Sequence, residues 1–245
     1  MRFFWCAAIL AAGVVHGQDA QRGQGPNFID KDKETAIGQQ LAKAVRSHTT
    51  ALDSAIVSEY VGRIGARLAA QPQFSAWNFQ FETVRDGAGK EPIALPGGII
   101  FISSGLIGAA RNEAELAGLL AHAMAHVADR DWSRKFTHTT LVEISMQAGL
   151  PPPAGDLTDL PAQMQFADFT HLVEKQADAL AVGAMAAAGY DPAGLASFLQ
   201  RIPANVLPDR DDRVAAVRAE IGKLPARSYA AEGGDFARVQ TEVRK

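Results

Sequence analysis

The sequence has a single cysteine, Cys6, among its 245 residues. Cys6 lies early in an N-terminal apolar run and has no lipobox before it, which argues against a lipoprotein. Once that N-terminal segment is removed no cysteine remains, so a disulfide framework is excluded. The chain also lacks an excess of basic residues, since its formal net charge is −3. We therefore expect no nucleic-acid partner.

Long hydrophobic runs are also scarce. The most continuous one covers residues 3–15, and a membrane-spanning helix needs about 20 residues. This run follows Arg2 and precedes small residues, which is typical of a secretory signal peptide cleaved after Gly17. We expect residues 1–17 to be the signal peptide, residues 18–33 a flexible lead-in, and residues 34–245 a single domain. The mature chain would be periplasmic or fully secreted, with no integral membrane segment.

Hydrophobic periodicity predicts a mostly helical chain with a small sheet, an α+β fold. A half-buried strand is predicted where Trp77, Phe79 and Phe81 alternate with polar residues, and a second strand follows the Pro96-Gly97-Gly98 segment. A turn is predicted at residues 86–89. A period near 3.6 predicts helices over residues 34–47, 54–70, 112–129, 133–147, 166–188, 191–199 and 213–221.

The helix predicted over residues 112–129 contains two histidines that could form a metal site. His122 and His126 are four residues apart, so their side chains lie on one helix face and can bind one metal ion. The pair alone is weak, because such histidines could equally be satisfied core residues. On a later helix, Glu174 can supply a carboxylate ligand, and Asp178 lies one turn further on. Two imidazoles, one carboxylate and a water complete a four-coordinate zinc site, so we expect one zinc ion per chain.

Five segments of the chain, in their order and spacing, resemble the CAAX-prenyl-protease and HtpX-like family of zinc metalloendopeptidases, in its exported, BepA-like bacterial branch. The resemblance implies a zincin-like (gluzincin) fold in which His122, His126 and Glu174 bind zinc and Asp178 orients a ligand histidine. It also implies that the second strand is a sheet edge along which an extended peptide substrate adds. The residues of that strand are Ile99, Ile100, Phe101, Ile102 and Ser103. The five segments are residues 94–98, Ser104-Gly105-Leu106, residues 112–122, Glu174-x-x-Ala-Asp178 and residues 188–192.

The sequence departs from this family at four places. Ala123 stands where the family has the general-base glutamate of H-E-x-x-H. Leu207 stands before Pro208 where a histidine is expected. The family's Asn-Ala-Phe becomes Glu91-Pro92-Ile93, and Asp131 follows Arg130 where an Arg-His pair is usual. The first departure puts hydrolysis in doubt, and the others concern substrate handling.

No carboxylate on the same helix replaces the missing base. The residues nearest to Ala123 in helical angle are Leu119, Leu120, His126 and Val127. Position 123 itself is expected to face a wet cleft. The remaining candidates for a substitute base are His138, Glu143 and His171, and each is better explained as a surface or packing residue.

Two functions from different classes remain open. The first is an exported zinc metalloendopeptidase-family domain that acts on peptides or unfolded proteins of the cell envelope, with hydrolysis impaired by Ala123. The alternative is a zinc-binding pseudoprotease that holds such polypeptides without cutting them. A metal-free structural domain is disfavoured because five motifs match in order.

Overall fold

The computed structural model describes residues 27–85, 91–137, 140, 169–229 and 235–245. Helices account for most of these residues, in agreement with the periodicity. Residues 131–137 are helical. The other helices are α1 (Lys31–His48), α2 (Ala55–Ala69), α3 (Ser104–Ala109), α4 (Glu113–Ala128), α5 (His171–Ala188), α6 (Ala193–Arg201), α7 (Arg210–Gly222) and α8 (Phe236–Glu242).

Within the described ranges, four strands form one small mixed sheet. They are β1 (Thr50–Ala51), β2 (Gln80–Arg85), β3 (Ile93–Ala94) and β4 (Ile99–Ser103), and their order across the sheet is β1, β2, β4, β3. β2 and β4 are parallel, whereas β1 and β3 are antiparallel to their neighbours. The fold is α+β and mostly helical with a small sheet, which confirms the predicted class.

The sheet separates two apolar layers, because successive side chains of a strand point to opposite faces. On β4, Ile100 and Ile102 belong to the larger layer, which contains residues of α2, α4, α5 and α6. Ile99 and Phe101 belong to a smaller layer with residues of α1. α4 lies inside the larger layer and packs against α5 and α6. This central place explains why a helix with two histidines is buried along nearly its whole length.

β4 is an interior strand, so the expectation that it forms the sheet edge is wrong. Residues 99–103 pair with β2, and on the other side Ile100 and Phe101 pair with β3. All five β4 residues are buried. An unbroken apolar run predicts a strand covered on both faces but not which of its edges are paired, and here β3 pairs with the edge of β4 that was expected to be free. The edge on this side of the sheet is β3.

A turn that contains Gly97 and Gly98 joins β3 to β4 and lies close to α1. Gly97 and Gly98 have φ angles of 82° and 102°, a region that favours glycine. A Cβ on Gly97 would lie 2.6 Å from the Cα of Thr35, and one on Gly98 would lie 2.7 Å from the carbonyl oxygen of Asn78. Glycine is therefore required here for both conformation and space.

The folded domain begins earlier than expected. α1 starts at Lys31 because the Asp30 side chain caps it. Asn27 and Phe28 form hydrogen bonds with Ser133 and Thr137, respectively. Residues 27–33 are thus part of the packed structure rather than a flexible lead-in, and the predicted boundary at residue 34 is too late.

Two other elements start later than predicted. β2 begins at Gln80 because the residues after α2 form turns, in which Phe74 N donates to Gln71 O and Trp77 N donates to Phe74 O. α5 begins at His171, and residues 166–168 of the predicted helix lie outside the described residues.

No helix within the described part of the chain is long and apolar enough to span a membrane. The predicted signal peptide, residues 1–17, lies outside the described residues. So do the predicted turn at residues 86–89 and most of the predicted helix over residues 133–147.

Candidate metal centre

Glu115 anchors the N-terminal end of α4, the helix that carries both candidate histidines. Asn112 caps the helix by accepting a 2.8 Å hydrogen bond from the backbone N of Glu115. The Glu115 carboxylate is buried and accepts hydrogen bonds from the backbone N of Arg111 and from the side chains of Ser197 and Arg201. The last two residues belong to α6. Glu115 therefore fixes α4 against its neighbour and holds the histidines in place.

His122 and His126 face each other one helical turn apart. Their Nε2 atoms are separated by 3.0 Å, and the two residues are 1% and 7% exposed. Two imidazole nitrogens directed at each other inside an apolar layer can share one cation.

Glu174 on α5 completes a cluster of three potential ligands. Its Oε2 lies 3.4 Å from Nε2 of His122, and its Oε1 lies 3.8 Å from Nε2 of His126. Tetrahedral zinc with bonds of about 2.0–2.1 Å places its ligand atoms about 3.3 Å apart. Oε2 of Glu174 is also buried and lies 2.8 Å from Nη1 of Arg213. This donor set fits one zinc ion.

A carboxylate contacts Nδ1 of each imidazole, the ring nitrogen that does not face the cluster. Oδ1 of Asp178 lies 2.9 Å from Nδ1 of His122, and Oδ2 of Asp131 lies 2.9 Å from Nδ1 of His126. Such contacts leave Nε2 of each ring directed towards the cluster. Phe169 stacks on the His126 ring with a centroid distance of 4.5 Å. The resemblance implies an orienting role for Asp178, whereas the contact of Asp131 was not indicated by the sequence.

A buried arginine from α7 connects the carboxylates of the centre. Arg213 is 1% exposed and donates to both oxygens of Asp178, with distances of 2.8 and 2.9 Å. Its Nη1 lies 2.8 Å from Oε1 of Glu91 and 2.8 Å from Oε2 of Glu174. Burial lowers the pKa of Arg213, but these carboxylates outweigh burial and raise the pKa above its ordinary value. The guanidinium is therefore charged.

The charge of the centre is mostly negative. Four carboxylates contact the imidazoles or Arg213, so with neutral imidazoles three negative charges remain uncompensated. A divalent cation would cancel two of them, which favours a metal at this place. The four carboxylates belong to Glu91, Asp131, Glu174 and Asp178.

The same excess of charge shifts the pKa of His122 in the metal-free protein. Burial lowers this pKa, but the charge and contact of Asp178, together with Glu174 and Glu91, raise it to about 10. For Glu174 and Asp178 burial raises the pKa, while His122 and Arg213 lower it to about 2 in each case. Without metal, His122 therefore carries a proton at neutral pH, and metal binding must release it.

Ala123, in the position of the general base, is 1% exposed and belongs to the larger apolar layer. The expected wet cleft at position 123 is therefore wrong, because neighbouring elements cover this part of α4. His171 lies elsewhere, with ring nitrogens 2.6 Å from Asp209 and 2.8 Å from Asp212, so it joins α5 to α7 at the surface. The other two candidates, His138 and Glu143, lie outside the described residues.

Sequence reasoning did not identify Glu91 or Arg213 as part of the centre. Glu91 was visible as a departure from the family's Asn-Ala-Phe pattern, but its distance from His122 was not. Arg213 begins a predicted helix, and no local pattern distinguishes it from a surface arginine. Leu207, in place of the expected histidine, is 3% exposed and packs in the larger apolar layer.

A surface pocket lies between β3 and the cluster. Among the described residues β3 pairs with a strand on one side only. The pocket therefore lies between this strand and a candidate ligand histidine. Its lining includes Ala94, Leu95 and Pro96 on one side and His126, Trp132 and Phe169 on the other.

Comparison with protein families gives one match over most of the described chain. Peptidase family M48 matches residues 56–221. This range contains both histidines of α4 together with Glu174, Asp178 and Arg213.

Curated relatives are similar at low identity. A putative beta-barrel assembly-enhancing protease of Vibrio cholerae is 26% identical over 184 residues, which cover 70% of this chain and 38% of the relative. The Escherichia coli K12 beta-barrel assembly-enhancing protease is 23% identical over 185 residues, with coverages of 69% and 37%. The mitochondrial metalloendopeptidase OMA1 of Schizosaccharomyces pombe is 26% identical over 191 residues, with coverages of 73% and 54%. The match thus spans less than two fifths of these bacterial relatives and about half of the yeast relative.

Proposed function

The chain belongs to peptidase family M48, and from this premise we propose that it is an exported zinc metalloendopeptidase-type domain with a zincin-like fold that acts on polypeptides of the cell envelope. One observation carries the proposal. Buried ligand atoms of His122, His126 and Glu174 all lie within 4.8 Å of one another, as a single zinc ion requires.

The chain's own residues would hold and orient the metal. His122, His126 and Glu174 are the proposed ligands, and Asp178 and Asp131 keep Nε2 of each imidazole directed at the centre. Bound zinc would supply Lewis-acid polarisation of the scissile carbonyl.

We place the polypeptide along β3. An extended peptide that adds as a further strand would use the edge of β3 away from β4 and cross the pocket beside His126. This role replaces the one predicted for residues 99–103, which would support β3 from inside the sheet.

Ala123 implies slow hydrolysis. A general base contributes about 10²–10⁴-fold to such reactions, and α4 supplies none near Ala123. This supports a second candidate function, a zinc-binding pseudoprotease that holds polypeptides without cutting them. The observation in its favour is that Ala123 and its helical neighbours Leu119, Leu120 and Val127 are apolar and buried.

Export and an envelope substrate are proposed from two features. Residues 1–17 have the pattern of a signal peptide, and the bacterial relatives are named for beta-barrel assembly. Mass spectrometry of the protein from its native host should show a chain that starts near Gln18. A dominant intact Met1 terminus in the cytosol would contradict export.

The decisive experiment measures metal and cleavage on the same preparation. The purified mature chain should contain about one zinc per molecule after reconstitution, and it should cleave casein slowly in a chelator-sensitive manner. H126A should lose the metal, whereas H48A, which alters an exposed histidine on α1, should retain it. Zinc below about a tenth of an equivalent would refute the metal centre. Full zinc loading without chelator-sensitive cleavage would favour the pseudoprotease.

A further inference from the structure

Glu91 brings a carboxylate to the metal centre from outside α4. It lies two residues before Ile93, the start of β3, and its Oε1 is 3.8 Å from Nε2 of His122. We propose that Glu91 is the proton-accepting carboxylate of this centre and takes the place of the glutamate missing at position 123. This inference rests on the proposed function.

Glu91 lies at the border of the ligand cluster rather than inside it. In the part of the chain that the structure describes, the atoms within 4.8 Å of one another come from His122, His126 and Glu174 and do not include Glu91. A general base must reach a water at the centre while the ligand positions stay filled. A carboxylate next to one ligand and outside the set meets this requirement.

Arg213 holds Glu91 by one oxygen. Nη1 of Arg213 lies 2.8 Å from Oε1 of Glu91. The same guanidinium also contacts Glu174 and Asp178. Its single positive charge is therefore shared among three carboxylates, and Glu91 is oriented without being fully neutralised.

Glu91 is also the most accessible carboxylate of the centre. Its side chain is 17% exposed, compared with 11% for Glu174, 7% for Asp131 and 1% for Asp178. Pro92 follows directly and restricts the backbone of residue 91 to extended conformations. A peptide bound along β3 would thus meet this side chain in a defined orientation.

The proposed step conserves atoms and charge. The water oxygen forms a bond to the scissile carbonyl carbon as the C=O π bond opens and its electron pair moves to the carbonyl oxygen, while one water O–H bond breaks and its proton passes to Glu91. When the C=O bond re-forms and the C–N bond breaks, this proton moves to the leaving nitrogen, and Glu91 returns to the carboxylate form. Water is the sole co-reactant.

The test compares Glu91→Gln with wild type, because glutamine retains an oxygen for Arg213 and cannot accept the proton. We expect E91Q to keep its zinc content and melting temperature while kcat/KM for casein-derived peptides falls by about 10²–10⁴-fold. The kcat/KM of E91D should lie between those of wild type and E91Q. The matched control is E59Q, which changes an exposed glutamate on α2.

A second readout does not depend on turnover. Acetohydroxamic acid must lose its hydroxyl proton to bind a metal ion as an anion, and Glu91 would accept this proton, so its affinity measured by calorimetry should weaken about tenfold or more in E91Q. E59Q should bind it as wild type does.

The outcomes separate this inference from the proposed function. Equal cleavage and equal hydroxamate affinity in E91Q and wild type, at equal zinc content, would overturn the role of Glu91 and leave the metallopeptidase assignment intact. Loss of zinc in E91Q would identify Glu91 as a ligand and also overturn the proposal, as would a zinc-loaded wild type that cleaves nothing. A wild type without zinc would instead refute the proposed function.

Discussion

Asp178 on α5 places its Oδ1 2.9 Å from Nδ1 of His122 on α4. Its Oδ2 accepts a 2.8 Å hydrogen bond from Nε of Arg213 on α7. One buried carboxylate therefore connects three helices at the metal centre. Ligand orientation and helix packing are coupled through this residue.

Replacing Asp178 should weaken metal binding. In D178N the neutral amide oxygen stabilises the orientation of His122 more weakly than the carboxylate does, so we expect zinc affinity to fall by about 10–100-fold, as for other residues that orient a metal-binding histidine. Competition with a chromophoric chelator measures this change. D53N, at an exposed position, is the control. An unchanged zinc affinity in D178N would show that the 2.9 Å contact does not orient the ligand.

Removing the metal should lower the stability of the wild type. Metal that binds only the native state adds to the free energy of unfolding, by about 4 kcal/mol when free zinc is 1,000 times Kd. The melting temperature of the wild type should therefore fall on addition of chelator and recover with zinc. The melting temperature of H126A should change with neither. A melting temperature that chelator leaves unchanged would contradict a filled site.

Arg213→Met should be strongly destabilising. The substitution removes one of the two cations, Arg213 and protonated His122, that contact the buried carboxylates of Asp178 and Glu174, and breaking a buried ion pair costs about 3–5 kcal/mol. Chemical denaturation of the zinc-free protein measures the loss. R218M changes an exposed arginine of α7 and should cost little. R213K should not restore stability, because lysine cannot contact both oxygens of Asp178 as a planar fork. Equal stability of R213M and R218M would refute this view of the centre.

Ala123→Glu should rescue the loss caused by E91Q. A glutamate at position 123 supplies the carboxylate from α4, so the double variant should recover about 10²–10⁴-fold in peptide cleavage. Because position 123 is buried, the zinc-free double variant should also melt at a lower temperature than E91Q. A123Q in the E91Q background controls for side-chain size. If E91Q and the rescued variant are equally inactive at equal zinc content, the centre does not support hydrolysis.

The surface pairing of His171 should make stability depend on pH. Hydrogen bonds to Asp209 and Asp212 raise the pKa of His171 above its ordinary value. The stabilisation is therefore complete below the unfolded value of about 6.5 and is lost as pH rises through the higher folded pKa. The melting temperatures of wild type and H171Q should differ most below pH 6 and converge in alkaline buffer. H48Q is the control, since the His48 ring contacts Ser47 and a backbone carbonyl of its own helix. A difference that grows with pH would contradict this sign.

Much of the local architecture was predictable. Apolar periodicity identified α1, α2, α4, α5, α6 and α7, since each buries one stripe or more in the core, whereas the short helices α3 and α8 were not predicted. The helix predicted over residues 112–129 agrees with α4 (Glu113–Ala128), which Asn112 caps. The strand over residues 99–103 was also correct in its bounds, but its place in the sheet was not, because strand order depends on partners distant in sequence.

Local patterns in the chain indicate the family, the fold class and the pair His122 and His126, because four-residue spacing on a helix places two side chains on one face. The surroundings of these histidines depend on the tertiary structure. It brought Glu174 within 3.4 Å of His122, buried Ala123, and placed Glu91 and Arg213 beside the ligands. The reason is that these contacts join α4 to α5, α7 and the residues before β3, and packing between distant segments leaves no local pattern in the chain.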